Sequence, residues 1–175
     1  KDGATMERIT LANLTAETED YPILLDIERR YPDSKVGAIR DVVFQNVHLH
    51  SGGGALIQGM PKSAIEHLTM QNVPLRTDDP IDHANRQKLK GSARSTPDDR
   101  DTLYARKPAY LTLAHVDGLT LDNVRVLIAE AAFARYERAA IGGYHLRNGV
   151  LRNVRRQPAG SNEQISAIDL HDCAA

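Results

Sequence analysis

Cysteine is nearly absent, charge of neither sign dominates, and no long apolar run interrupts the chain. Cys173 is the sole cysteine, which excludes an internal disulfide framework and any cysteine-based zinc site. It reads as a free thiol near the C-terminus. A formal net charge of −1 leaves no basic excess of the kind that draws a protein to nucleic acid or an anionic membrane, so neither is an expected partner. No signal-sequence pattern, membrane-length apolar stretch or low-complexity tract is visible, and 175 residues suit one domain over 1–175 with a sizeable core. The chain begins at Lys1 and closes with Ala174 and Ala175 directly after a strand-like stretch, which reads as cut at both ends.

What the sequence does contain is a repeat. One phrase recurs: an apolar start, two apolar positions at strand alternation, then Asn and another apolar residue. Ile39-Arg40-Asp41-Val42-Val43-Phe44-Gln45-Asn46-Val47 is one copy, and residues 6–14, 65–73, 116–124 and 146–154 are the others. The last departs at Gly149, where its counterparts carry a larger apolar residue, and this leaves its register open. Alternation with period two and aliphatic, β-branched content mark each copy as a strand with one face buried.

Between copies lies a second apolar stretch: 22–27, 54–58, 110–113 and 139–142, with Ser166-Ala167-Ile168-Asp169-Leu170 opening another. A strand pair that recurs every 26 to 51 residues with unequal polar inserts suits a solenoid, whose turns stack while their loops vary. The expected fold is all-β, a right-handed parallel β-helix incomplete at both ends. Unpaired strand edges there predict end-to-end self-association. A leucine-rich repeat is the rival, but its Asn lies one residue further along and its period stays within about 20–29 residues.

In such a stack the Asn of each copy sits at a corner. Asn13, Asn46, Asn72, Asn123 and Asn153 are expected to form part or all of an interior ladder, each amide bonding the one above and below. The alternative is a set of ordinary turn asparagines facing water.

Residues 76–108 break the rhythm with a polar stretch carrying charges of both signs, read as a long loop insertion. Loops of that length are commonly functional or disordered. As the rim of a binding groove it offers Arg86, Lys88, Lys90 and Arg94 to an anionic ligand; otherwise it is a solvated excursion. His48 and His50 alternate on a strand and point outward if Val47 and Leu49 point in. Two such histidines could share a metal, but with no third ligand in view they read as surface residues, and no metal or cofactor is expected.

The stretch 39–47, then Gly52-Gly53-Gly54-Ala55-Leu56-Ile57-Gln58-Gly59-Met60-Pro61, then 64–73, resembles the C-terminal turns of polygalacturonase-like glycoside hydrolases of family 28. So does Pro108-Ala109-Tyr110 leading into 115–124. The resemblance implies a secreted or periplasmic protein, an acidic, pectin-like polysaccharide as partner, and an inverting reaction in which one carboxylic acid protonates the glycosidic oxygen and carboxylate chemistry activates water. The family's Asn-Thr-Asp, Asp-Asp, Gly-His-Gly and Arg-Ile-Lys motifs have no counterpart in a matching setting, so no catalytic residue is assigned. Asp78-Asp79 and Asp98-Asp99 stand in the polar loop, and Gly143-Tyr144-His145 is not Gly-His-Gly. The chain resembles the coils on the C-terminal side of the Arg-Ile-Lys strand and is expected to hydrolyse nothing by itself. A family tyrosine that contacts the sugar has its nearest match in Tyr31, which otherwise caps a strand before Pro32. The expected substrate contacts are therefore Tyr31, from the resemblance, and Arg86 and Lys88, from the polar loop. The other class left open is a non-catalytic β-helical carbohydrate-binding or surface protein.

Overall fold

The computed structural model describes residues 3–19, 21–28, 33–78, 109–130, 138–157 and 167–174. They form an all-β structure of two parallel sheets. The larger sheet holds β1 (Thr5–Thr18), β3 (Ala38–Ser51), β5 (Ile65–Thr77) and β7 (Val116–Ile128), and both β9 (Val150–Arg152) and β10 (Arg155–Gln157) pair with β7. The smaller sheet holds β2 (Leu24–Asp26), β4 (Ala55–Gln58), β6 (Leu111–Ala114), β8 (Ile141–Tyr144) and β11 (Ile168–His171), in that spatial order. Large-sheet and small-sheet strands alternate along the chain as far as β8; β9 and β10 then follow one another in the larger sheet, and each strand lies parallel to its counterpart one repeat earlier.

All five phrases fall into one register. Met6 lies opposite Ile39, Ile65 opposite Val116, and Leu121 opposite Leu151, while Asp117 bridges to Arg147. The last copy is therefore aligned despite Gly149. The strands also run several residues past the phrase, because its Asn bends the strand without ending the pairing: Leu14 still lies opposite Val47, and Thr18 opposite Ser51.

The buried positions explain how. In β3 they are Ile39, Val42, Phe44, Val47 and Leu49, spaced three, two, three, two. A flat strand buries every second residue. Each gap of three contains one residue in the left-handed conformation, Asp41 at φ 54° and Asn46 at φ 52°, which turns the strand and shifts the inward face by one position. The same breaks recur at Arg8 and Asn13, at His67 and Asn72, and at Gly118 and Asn123. Each long strand is thus three short segments joined by two bends.

The inward side chains of these segments face Ala55, Ile57, Leu111, Leu113 and Ile141 of the smaller sheet, forming one apolar cluster. Leu68, Met70, Val73 and Leu75 in β5 and Leu119, Leu121, Val124 and Val126 in β7 are completely buried. Each such side chain contributes about 1.5–3 kcal/mol of burial. The inward positions that end β3 and β5 are polar, and both hydroxyls donate to the Gly53 carbonyl, Ser51 at 2.6 Å and Thr77 at 3.2 Å. Buried hydroxyls are thereby paired, and the bend into β4 is tied down. Gly54 is required there, because a Cβ would stand 2.8 Å from the Tyr110 carbonyl oxygen. On the other side of the smaller sheet, Leu56, Ala114 and Tyr144 form a second buried cluster with Tyr21 against it. Burial falls away at the outermost strands, where Met6, Leu14, Leu24, Val150 and Leu170 are exposed.

Two expectations need correction. Arg76 and Thr77 belong to β5, not to a loop, and Thr77 is fully buried; of the proposed insertion, residues 79–108 lie outside the described residues. The asparagine ladder exists but stands on the outside of the corner. Asn46 Nδ2 donates to Asn13 Oδ1 at 3.0 Å, Asn72 to Asn46 at 3.0 Å and Asn123 to Asn72 at 2.8 Å, across positions that are exposed or half-buried. The left-handed bend directs the next residue inward and leaves the Asn side chain on the convex side. Asn153 does not extend the ladder; its Oδ1 accepts from Arg155 Nη2 at 3.1 Å.

Candidate functional site

A third column of left-handed residues stands where the smaller sheet hands the chain to the larger one. His115 (φ 50°), His145 (φ 53°) and Asp172 (φ 50°) each come directly after β6, β8 or β11. Their alignment is set by strand pairing, since Ala114 lies opposite Tyr144 and Tyr144 opposite His171. The His115 and His145 rings stack at a centroid distance of 4.6 Å and an interplanar angle of 7°. Beside them Tyr144 stacks on His171 at 5.2 Å. Stacking of flat side chains in register is what parallel pairing imposes on like residues.

This column forms one wall of an open groove of about 410 Å³. Met60, Pro61 and Ala64 supply an apolar wall, and His115, His145, Arg147 and Asp172 supply the polar one. Arg147 is steadied by Asp117 at 3.2 Å, yet its side chain stays 60% exposed. An apolar wall opposite imidazole, guanidinium and carboxylate groups suits a polar ring bearing an acid: the ring face packs, the hydroxyls hydrogen-bond, and the fork of Arg147 takes a carboxylate.

A second groove, of about 450 Å³, lies at the far end of the large-sheet strands between Glu17, Glu19, His50 and Asp78. Strand pairing sets Glu17 opposite His50 and His50 opposite Arg76. His50 Nε2 lies 2.6 Å from Asp78 Oδ2, its Nδ1 lies 3.6 Å from Glu17, and Arg76 Nε donates to Asp78 Oδ1 at 3.3 Å. The hydrogen bond from His50, joined by that from Arg76 and opposed by partial desolvation, holds the Asp78 carboxyl below the usual carboxylate range. A carboxylate so stabilised is a poor general acid near neutral pH, so Asp78 does not have the character of the protonating acid of a glycosidase.

Val47 and Leu49 are buried while His48 is exposed and His50 half-buried, so the two histidines do point outward, with His50 engaged by carboxylates. Among the described residues no group of three or more His, Cys, Asp or Glu side chains could hold a metal ion, and no helix is long and apolar enough to cross a membrane. Tyr31, Arg86 and Lys88, the expected substrate contacts, lie outside the described residues, as do Lys90, Arg94, Asp79, Asp98 and Asp99. Sequence reasoning missed the column of His115, His145 and Asp172. Its one signal was a polar residue two or three positions after three of the second apolar stretches, hidden because the three residues share no motif.

Compared with known proteins, the chain matches no protein-family model, no curated protein sequence and no solved structure.

Proposed function

We propose that the chain is a right-handed parallel β-helix and forms C-terminal coils of a pectin-type polysaccharide hydrolase of the polygalacturonase-like kind, secreted or periplasmic, that contribute polymer binding and no hydrolysis of their own. The in-register stacking of five phrases and the alternation of strands between two parallel sheets support the coil. The observation that carries the functional reading is the groove at His115, His145, Arg147 and Asp172, whose apolar wall, hydrogen-bonding wall and single exposed guanidinium suit a uronic acid unit. Tyr31, Arg86 and Lys88 remain proposed contacts.

The purified chain is expected to be retarded in a native gel containing polygalacturonate and to release no reducing ends from it. Arg147→Gln is expected to lower that retention several-fold. Failure of the wild-type chain to bind polygalacturonate sinks the reading, and release of reducing ends would show that the chain holds catalytic carboxylates after all.

A non-catalytic surface protein is the second reading. It is favoured by the mutual pairing of outward charges, Glu7 with Arg40 at 2.6 Å and Asp41 with His67 at 3.0 Å, which satisfies much of the face without a ligand. The intact mass of the natural product separates the two. A mass about twice the 19.3 kDa of this chain or more supports the hydrolase, and an equal mass supports the surface protein.

A further inference from the structure

Among the described residues, the outward columns of the larger sheet obey a rule with one exception. Where charged residues face each other across strands, a partner of opposite sign or a hydrogen-bonding amide stands in reach. Glu7 meets Arg40, Asp41 meets His67, Gln45 donates to Gln71, and Asp122 meets Arg152 at 3.4 Å. Even the like pair of Glu66 opposite Asp117 is flanked on both sides, by Arg40 opposite Glu66 and by Arg147 on Asp117.

The exception begins two residues past the asparagine corner. Arg125 lies directly opposite Arg155, and Pro74 lies opposite Arg125 on the other side. Thr15 and His48, paired with each other, occupy the same position in β1 and β3, so the column holds no acidic residue. Both arginines are exposed, and no carboxylate among the described residues pairs with either. Parallel neighbours are about 4.8 Å apart, and like charges directly opposite destabilise a sheet.

A second observation sits beside the first. The asparagine ladder stops at Asn123, and Asn153 instead accepts a hydrogen bond from Arg155 Nη2 at 3.1 Å. The fourth link of a ladder is given up, and the Arg155 guanidinium is anchored to Asn153.

We propose that Arg125 and Arg155 form an anion-binding ledge that takes carboxylates of an acidic polysaccharide. The identity of the polymer rests on the functional reading above; the ledge itself rests on the unpaired column and the diverted asparagine. A carboxylate between two guanidinium forks accepts charge-assisted hydrogen bonds from both and removes the repulsion that the sheet otherwise carries. Arg152, across the corner and already engaged by Asp122, is not part of it.

The test uses the whole chain, with retention in gels containing polygalacturonate, fully methyl-esterified pectin or duplex DNA. Arg125→Gln combined with Arg155→Gln is expected to weaken polygalacturonate binding about tenfold or more by removing charge-assisted contacts, to leave weak binding to the esterified polymer unchanged, and to raise the urea midpoint without ligand by relieving repulsion. Arg125→Lys with Arg155→Lys, which keeps the charge and loses the fork, is expected to recover part of the affinity. Unchanged polygalacturonate binding in the glutamine variant, with binding lowered in Arg147→Gln, would overturn the ledge and leave the groove standing. An equal loss toward esterified pectin, or equally strong arginine-dependent binding to DNA, would also overturn it. If the wild-type chain ignores polygalacturonate altogether, the underlying functional reading fails first.

Discussion

Two columns of bends cross the larger sheet with one backbone conformation and different side chains. At the corner of Asn13, Asn46, Asn72 and Asn123, φ lies between 52° and 55° and every residue is asparagine. At the preceding bend the same conformation is held by Arg8, Asp41, His67, Gly118 and Asn148, with φ from 51° to 55° in the non-glycine residues. A left-handed residue other than Gly costs about 1–2 kcal/mol, with Asn and Asp relieved by their short polar side chains. The asparagine column adds a continuous chain of amide bonds. The mixed column has isolated pairs, Asp41 with His67 at 3.0 Å and Asn148 donating to Asp117 at 2.7 Å. Stacking of the strands imposes the bend in both. Only where side chains bond along the stack does that bend leave a regular mark in the sequence.

The largest effect is expected from breaking the uniform column at its middle. Asn72→Ala removes two ladder bonds and leaves a Cβ at φ 54°, and should cost about 2–4 kcal/mol. Asn72→Gly removes the bonds but relieves the backbone, and should cost about 1–2 kcal/mol. Urea denaturation of both isolates the backbone contribution as their difference, and an alanine variant as stable as wild type would show the ladder to be idle.

The mixed column offers a smaller test. Gly118→Ala puts a Cβ at φ 77°, 2.8 Å from His67 Cδ2. Because the imidazole is exposed and can give way, the cost should be near the backbone term alone, about 1–2 kcal/mol. A thermal or urea midpoint lower by more than this would mean that His67 is held as firmly as the asparagines.

The smallest effect is expected away from both columns, at Asp78. Its carboxyl is held low by His50 and Arg76, so the contribution is fully present above the ordinary carboxylate range, near pH 4, and is lost as pH falls through the lower folded value. Wild type and Asp78→Asn should therefore differ slightly at neutral pH and converge in strongly acidic solution. A difference that persists at low pH would place the effect in packing instead of charge.

Much of the fold was legible. Val42, Phe44, Val47 and Leu49, and their counterparts one repeat away, carry the inward spacing on their face, and the register emerges from laying one phrase on the next. Gly149 obscured the last copy because a missing side chain removes the apolar signal while leaving the backbone pairing intact. The side of the corner on which the asparagines stand was not legible, since alternation is reset by the very bend that the asparagine makes. Arg76 and Thr77 read as loop because an exposed charge beside a buried threonine breaks the apolar pattern, although Thr77 is inward and bonded to the Gly53 carbonyl.

By itself the sequence determined that strands would form and that successive copies could stack, because those properties depend on local alternation and on apolar side chains that must leave water. Tertiary structure decided which residues meet across the stack. His115, His145 and Asp172 become one wall, and Arg125 and Arg155 become one ledge, because parallel pairing brings residues from separate repeats to a strand spacing of about 4.8 Å, a proximity that no local pattern encodes.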